Sequence, residues 1–215
     1  LEAQVTAPVA ECMYNTGQSC DAPTRLLVER TCYDQVLEIA KRAAEATKVG
    51  DPTQEGVHIG PLFDRIQFDR VQSMISIGIK EGATLLSGGL GKPEGIDAGW
   101  FVKPTVFADV SNMMRISREE IFGPVLVIIP FEDESDAIRI ANDTPYGLAA
   151  YVQTSDQDKA ERVASRLRAG AVHVNGGGFN YGSPFGGYKQ SGNGREGGLM
   201  GLEDYLETKT LHGLS

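Results

Sequence analysis

The chain has 215 residues, 41 % hydrophobic and 23 % charged, enough for one globular core and too apolar for a disordered polymer. Its net charge of -9, with no basic stripe, argues against nucleic acid or an anionic membrane surface as the main partner. No apolar run approaches the ~20 residues that cross a bilayer, and "LEAQVTAPVAEC" lacks the charged and apolar regions of a signal peptide, so a soluble chain is expected.

The sequence lacks an initiator Met and opens in what reads as the middle of a helix, which is what part of a longer polypeptide would show. "RLLVE" (25–29) predicts a strand, and Val36, Leu37, Ile39, Ala40, Ala43 and Ala44 mark one side of the helix after it. Ile66, Val71, Met74, Ile75 and Ile79 mark a second helix, followed by strand candidates "ATLLSG" (83–88) and "FVKPTVF" (101–107). The continuous run "VLVII" (125–129) precedes a helix over about 133–142. Next come a strand in "AAYVQT" (149–154), a helical stripe of Ala160, Val163, Ala164 and Leu167, and a strand in "GAVHVN" (170–175). Strand and helix in alternation, with continuously apolar strands, predict an α/β fold: a three-layer open sheet covered by helices. Beyond 175 the glycine-rich stretch reads as a long loop.

Cys12, Cys20 and Cys32 form an odd set that fits a reducing compartment, cytoplasmic by default, better than a disulfide framework. No C-x-x-C pair occurs and His58, His173 and His212 are scattered, so no metal site is expected. "GNGREG" (192–197) satisfies G-x-G-x-x-G, but it follows "GGYKQS" and not a strand, so it reads as a chance match and not a dinucleotide fingerprint. In "NTGQSC" (15–20) a glycine permits unusual backbone angles and the following strand holds the bend, so Cys20 could face a cleft with its own N–H nearby. The residues alone leave a second reading open, since a free cysteine is most often a small buried hydrophobe.

"NTGQSC" followed by "APTRLLV", then "EEIFGPV" (119–125), "NDTPYGLAA" (142–150) and "SPFGGYKQSGNGRE" (183–196), together resemble the aldehyde dehydrogenase superfamily in order along essentially the whole chain. The resemblance implies that Cys20 is the catalytic thiol, with Cys12 and Cys32 structural. The chemistry it implies is attack of that thiol on an aldehyde carbonyl, departure of a hydride to NAD or NADP, and hydrolysis of the thioester by water. It also implies that the Cys20 N–H helps hold the oxyanion, and that its asparagine partner, the base glutamate and most cofactor contacts belong to an N-terminal half with no counterpart here.

By the same resemblance Glu120 accepts from the nicotinamide ribose and Phe122 packs near the cofactor. Ser117-x-x-Glu120 also reads as a capping box, so a structural role for Glu120 stays open. Phe179 and Phe185 match substrate-tunnel positions, with Tyr14, Ser19 and Asp21 flanking the nucleophile. Arg195 and Glu207 match charged positions near a subunit interface, and "YLETKTLHGL" (205–214) resembles the arm through which family members pair as homodimers or homotetramers. The division expected is a catalytic domain over 1–190 and a C-terminal loop and oligomerisation segment over 191–215. Two other readings are a CoA-acylating relative and a non-catalytic assembly module. The turn's backbone dipoles are expected to lower the pKa of Cys20 below those of Cys12 and Cys32.

Overall fold

Four strands, Arg25–Glu29 (β1), Thr84–Ser87 (β2), Thr105–Ala108 (β3) and Val125–Phe131 (β4), form one sheet in the computed structural model, which describes residues 1–56 and 58–213. The spatial order is β1, β4, β3, β2; β1 and β3 run parallel to β4, and β2 is antiparallel to β3 at one edge. Helices Glu2–Met13 (α1), Tyr33–Ala46 (α2), Arg65–Lys80 (α3), Arg115–Arg118 (α4) and Glu134–Asn142 (α5) belong to the same unit.

The continuously apolar β4 is explained by what lies on each side of it. Side chains alternate across a strand, so Val125, Val127 and Ile129 join Phe107 in one core with Val71, Met74 and Ile75 of α3 and Ile116 of α4. Leu126 and Ile128 join Val106 in the opposite core, with Val5, Val9, Cys12 and Met13 of α1 and Val36, Ile39, Ala40 and Ala44 of α2. The sheet is therefore covered on both faces, the three-layer α/β arrangement that the sequence predicts. Each large aliphatic side chain buried this way contributes about 1.5–3 kcal/mol.

The boundaries follow local chemistry. Asp64 caps α3 by accepting from the Gln67 N–H at 2.7 Å, and Asp133 caps α5 by accepting from the Asp136 N–H at 2.8 Å. The strand predicted over 101–107 is shorter, beginning at Thr105, because Pro104 has no N–H to give a ladder. On α3, Ile66 and Ile79 of the predicted stripe are exposed, and Val71, Met74 and Ile75 carry the packing.

The chain divides into two compact units, Leu1–Thr144 and Pro145–Ser215. The second has its own two-stranded parallel sheet, Ala149–Val152 (β5) with Ala171–Val174 (β6), joined through Gln157–Ala164 (α6). Within the long loop after β6, Phe185 and Glu196 pair as a short antiparallel bridge, and a short helix, Gly198–Glu203 (α7), follows. The division expected at 190/191 thus falls inside the second unit, whose strands pair with each other. Leu214 and Ser215, the end of the expected oligomerisation segment, lie outside the described residues. Among the described residues no helix is long and apolar enough to cross a membrane.

Candidate active site

The segment between α1 and β1 reverses the chain through three successive left-handed residues, Asn15 (φ 50°), Thr16 (φ 60°) and Gly17 (φ 69°). Such a backbone costs a β-branched residue dearly, and it persists where surroundings over-determine it. Here buried Thr16 donates its hydroxyl to the Gly60 carbonyl at 2.9 Å, and the Asn15 side chain donates to the Gln18 carbonyl at 2.9 Å. Gly17 has no alternative: a β-carbon there would lie 2.0 Å from the Gly123 carbonyl oxygen. The sequence marks this glycine as permissive; the structure adds that it is a backbone-to-backbone contact between the "NTGQSC" and "EEIFGPV" segments.

Cys20 follows on a tight turn closed by the Ala22 N–H donating to the Ser19 carbonyl at 3.3 Å, and the residue is exposed. β1 begins after it, where the Val127 N–H donates to the Thr24 carbonyl at 3.0 Å and so ties the turn to the central strand. Partial enclosure pushes the thiol above its ordinary pKa. The Asp21 carboxylate, and less strongly that of Glu120, raise it further, against the lowering effect of the Cys20 and Asp21 backbone N–H groups. The expected depression by backbone dipoles is therefore corrected: those dipoles are present and are outweighed. Cys12 is buried and its thiol is pushed up to about 12, by burial first and then by Glu11. Cys32, expected to be structural, is half-exposed, with its thiol 3.4 Å from the Glu29 carbonyl.

Glu120 lies close enough to Cys20 for its charge to act on the thiol, and it is exposed. The capping-box reading is not realised: Ser117 sits inside α4, buried, and donates its hydroxyl to the carbonyls of Ser111 and Met114. Among the described residues the Glu120 carboxylate has no hydrogen-bond partner, which leaves it available to a ligand's hydroxyl groups. Phe122, half-buried, is itself left-handed (φ 56°). Three contacts from α3 hold this stretch: Arg70 donates to the Glu120 carbonyl, and Gln67 donates to those of Ile121 (2.9 Å) and Phe122 (2.7 Å). Gln67 and Arg70 escape a sequence reading. Asp64-x-x-Gln67 is legible as a helix start, but nothing local shows that the Gln67 side chain reaches a segment more than fifty residues away.

Of the residues expected to flank the nucleophile, Ser19 donates its hydroxyl to Asp21 at 2.6 Å, and Tyr14 is 73 % exposed, which removes ordinary core packing as its role. Within the second unit Phe179 lies edge-on to Phe185 with ring centres 6.1 Å apart. Arg195 folds back on its own loop, donating to the carbonyls of Gly187, Asn193 and Gly194. Glu207 is exposed. Among the described residues no cluster of His, Cys, Asp and Glu could hold a metal ion.

Known proteins match this chain along nearly its whole length. The model of the "Aldehyde dehydrogenase family" matches residues 1–211. 3-Succinoylsemialdehyde-pyridine dehydrogenase of a Pseudomonas species is 49 % identical over 213 residues, which is 99 % of this chain and 45 % of that protein. A crystal structure of aldehyde dehydrogenase from Bartonella henselae superposes with a TM-score of 0.93 at 52 % identity, covering 95 % of this chain and 43 % of that one. Aldehyde dehydrogenase C of Pseudomonas syringae, solved as a cysteine-to-alanine variant with NAD+ and octanal, gives a TM-score of 0.95 at 50 % identity, covering 97 % and 43 %. The chain spans a little under half the length of these relatives. Matched by the family model over 1–211 and about half identical to these relatives over nearly its whole length, the chain belongs to the aldehyde dehydrogenase family.

Proposed function

We propose that the chain is the thiol-bearing part of an enzyme that oxidises an aldehyde to a carboxylic acid, with Cys20 as nucleophile. The observation that carries this is the exposed Cys20, on a turn locked to the Glu120 segment by the Gly17–Gly123 contact. The Cys20 thiolate attacks the carbonyl carbon, forming a C–S bond and placing a negative charge on the former carbonyl oxygen. The Cys20 backbone N–H, on the same turn, is the donor assigned to that charge. A nicotinamide cofactor, when bound, supplies the acceptor for the hydride on the attacked carbon. Glu120, exposed and without a hydrogen-bond partner among the described residues, would accept from the ribose hydroxyls, and Phe122 would pack near the cofactor. The thioester then left on Cys20 is cleaved by water, which returns the thiol.

Relatives solved with NAD+ support NAD as the cofactor. The activating glutamate and the oxyanion asparagine are assigned to the part of the relatives that this chain does not span. Tyr14, Ser19, Asp21, Phe179 and Phe185 are assigned to the substrate path, Arg195 and Glu207 to a homodimer or homotetramer interface, and three free cysteines fit a reducing cytosol.

In the full-length enzyme, Cys20→Ala should abolish aldehyde-dependent NADH formation while a titration shows NAD still bound. Persistent turnover by that variant would overturn the assignment. Product analysis with and without coenzyme A separates hydrolysis from acyl transfer: a free acid supports the reading, an acyl-CoA replaces it.

A further inference from the structure

We propose that Gln67 is a positioning residue for the reaction: by holding the carbonyls of Ile121 and Phe122 it fixes where the Glu120 carboxylate stands relative to Cys20. This rests on Glu120 being the cofactor-facing carboxylate.

In an extended chain successive carbonyls point to opposite sides. Here those of Ile121 and Phe122 converge on one side-chain nitrogen, Nε2 of Gln67, at 2.9 and 2.7 Å. The convergence accompanies the left-handed backbone of Phe122, a conformation that a residue with a side chain keeps only when it is held. Gln67 is itself fixed at its root, since its N–H is the one that Asp64 caps. Arg70 and Val71 share its helix face by their i+3 and i+4 spacing. Arg70 donates to the Glu120 carbonyl, and Val71 packs so closely on Gly123 that a β-carbon there would lie 2.6 Å from its Cγ2. One face of α3 thus grips every residue from Glu120 to Gly123.

The chain entering α3 is fastened to the nucleophile turn. Thr16 donates to the Gly60 carbonyl at 2.9 Å, and Gln18 accepts from the Phe63 N–H at 2.9 Å while its amide reaches the Pro61 carbonyl at 3.5 Å. A single short stretch, 60 to 71, therefore touches both the turn that carries Cys20 and the segment that carries Glu120. Gln67 is where its hold on the second is made. A side chain of the same length without donors would leave two carbonyls unheld and Phe122 free to relax.

The test uses the full-length enzyme with Gln67→Met, and Gln67→Glu as a second variant that keeps the shape but donates nothing. In both, NAD affinity measured by fluorescence titration should fall roughly tenfold. In cofactor-free enzyme, Gln67→Met should shift the pH dependence of Cys20 alkylation in the same direction as Glu120→Gln does. Combined with Glu120→Gln it should add little to either effect, because both act through one carboxylate. A merely structural role would lower the folded fraction and leave the affinity and alkylation profile of the folded enzyme unchanged, and that result overturns the proposal. Effects fully additive with those of Glu120→Gln overturn it too. Turnover by Cys20→Ala would instead remove the functional reading, and so the two failures are distinguishable.

Discussion

Gly17 and Gly123 meet backbone to backbone, so closely that a β-carbon on the first would lie 2.0 Å from the carbonyl oxygen of the second. Gly17→Ala therefore combines left-handed strain, about 1–2 kcal/mol by itself, with a clash against main chain that has no rotamer to yield. In the full-length enzyme it should lower stability by about 2 kcal/mol or more, and turnover at least about tenfold in what remains folded. Urea denaturation and kcat on the folded fraction check this; a variant of near-parental stability and rate would mean that the contact is slack in solution.

Thiol reactivity should follow exposure. Iodoacetamide at neutral pH followed by peptide mapping should find Cys20 modified first and Cys12 unmodified in the native protein, since burial both shields Cys12 and pushes its thiol up to about 12. First labelling at Cys12 or Cys32 would refute the assignment of the nucleophile.

The pH dependence of Cys20 has a definite sign. Enclosure and the Asp21 and Glu120 carboxylates raise its pKa, so the reactive thiolate is scarcer at neutral pH than for an ordinary cysteine, and alkylation should speed up as pH rises. Asp21→Asn and Glu120→Gln each remove a negative charge, lower the thiol pKa and should make labelling at pH 7 faster. Unchanged labelling in Asp21→Asn, the stronger influence of the two, would show that its charge does not reach the thiol.

Glu120→Gln has a second, opposing consequence if the carboxylate holds the ribose: labelling quickens while hydride transfer slows, by roughly ten- to a hundredfold. Single-turnover NADH formation beside an alkylation assay shows both. An unaltered hydride step with unaltered NAD affinity would return Glu120 to the status of a surface charge.

Glu207 stands exposed at the end of the second unit. A surface charge of this kind contributes little, but one covered by a partner subunit becomes costly to reverse. Glu207→Lys in the full-length protein should then weaken subunit pairing about tenfold or more, visible in sedimentation velocity, and weaken NAD affinity with it. Parental assembly and parental affinity would leave the segment as solvated tail.

The sheet was legible because β4 is apolar at every position from Val125 to Ile129, which only a strand buried on both faces requires. The helices α2 and α3 were legible from period, with the error confined to Ile66 and Ile79, where the stripe points to solvent at the two ends of α3. The Ser117-x-x-Glu120 alternative is not realised because a capping pattern specifies residue types but not the residue at which the helix begins; Met114 is the N-cap of α4, and Ser117 spends its hydroxyl inside the helix. Cys20 could be singled out from its turn and from the family resemblance, but the direction of its pKa could not. That direction is set first by the enclosure the fold gives the thiol and then by neighbouring Asp21, with Glu120, a hundred residues further on, adding less. The clamp by Gln67 was hidden for the same reason.

The alternation of β4 has a consequence for cooperativity. Its odd residues belong to one core and its even residues to the other, and β3 is divided in the same way between Phe107 and Val106. Neither layer of helices can melt by itself without stripping one side of strands on which the other still depends. The first unit should therefore open as a single foldon, and its slowest-exchanging amides should be those of β4. The turn bearing Cys20, tied to that strand through Thr24 and Val127, should keep its geometry until the whole unit unfolds.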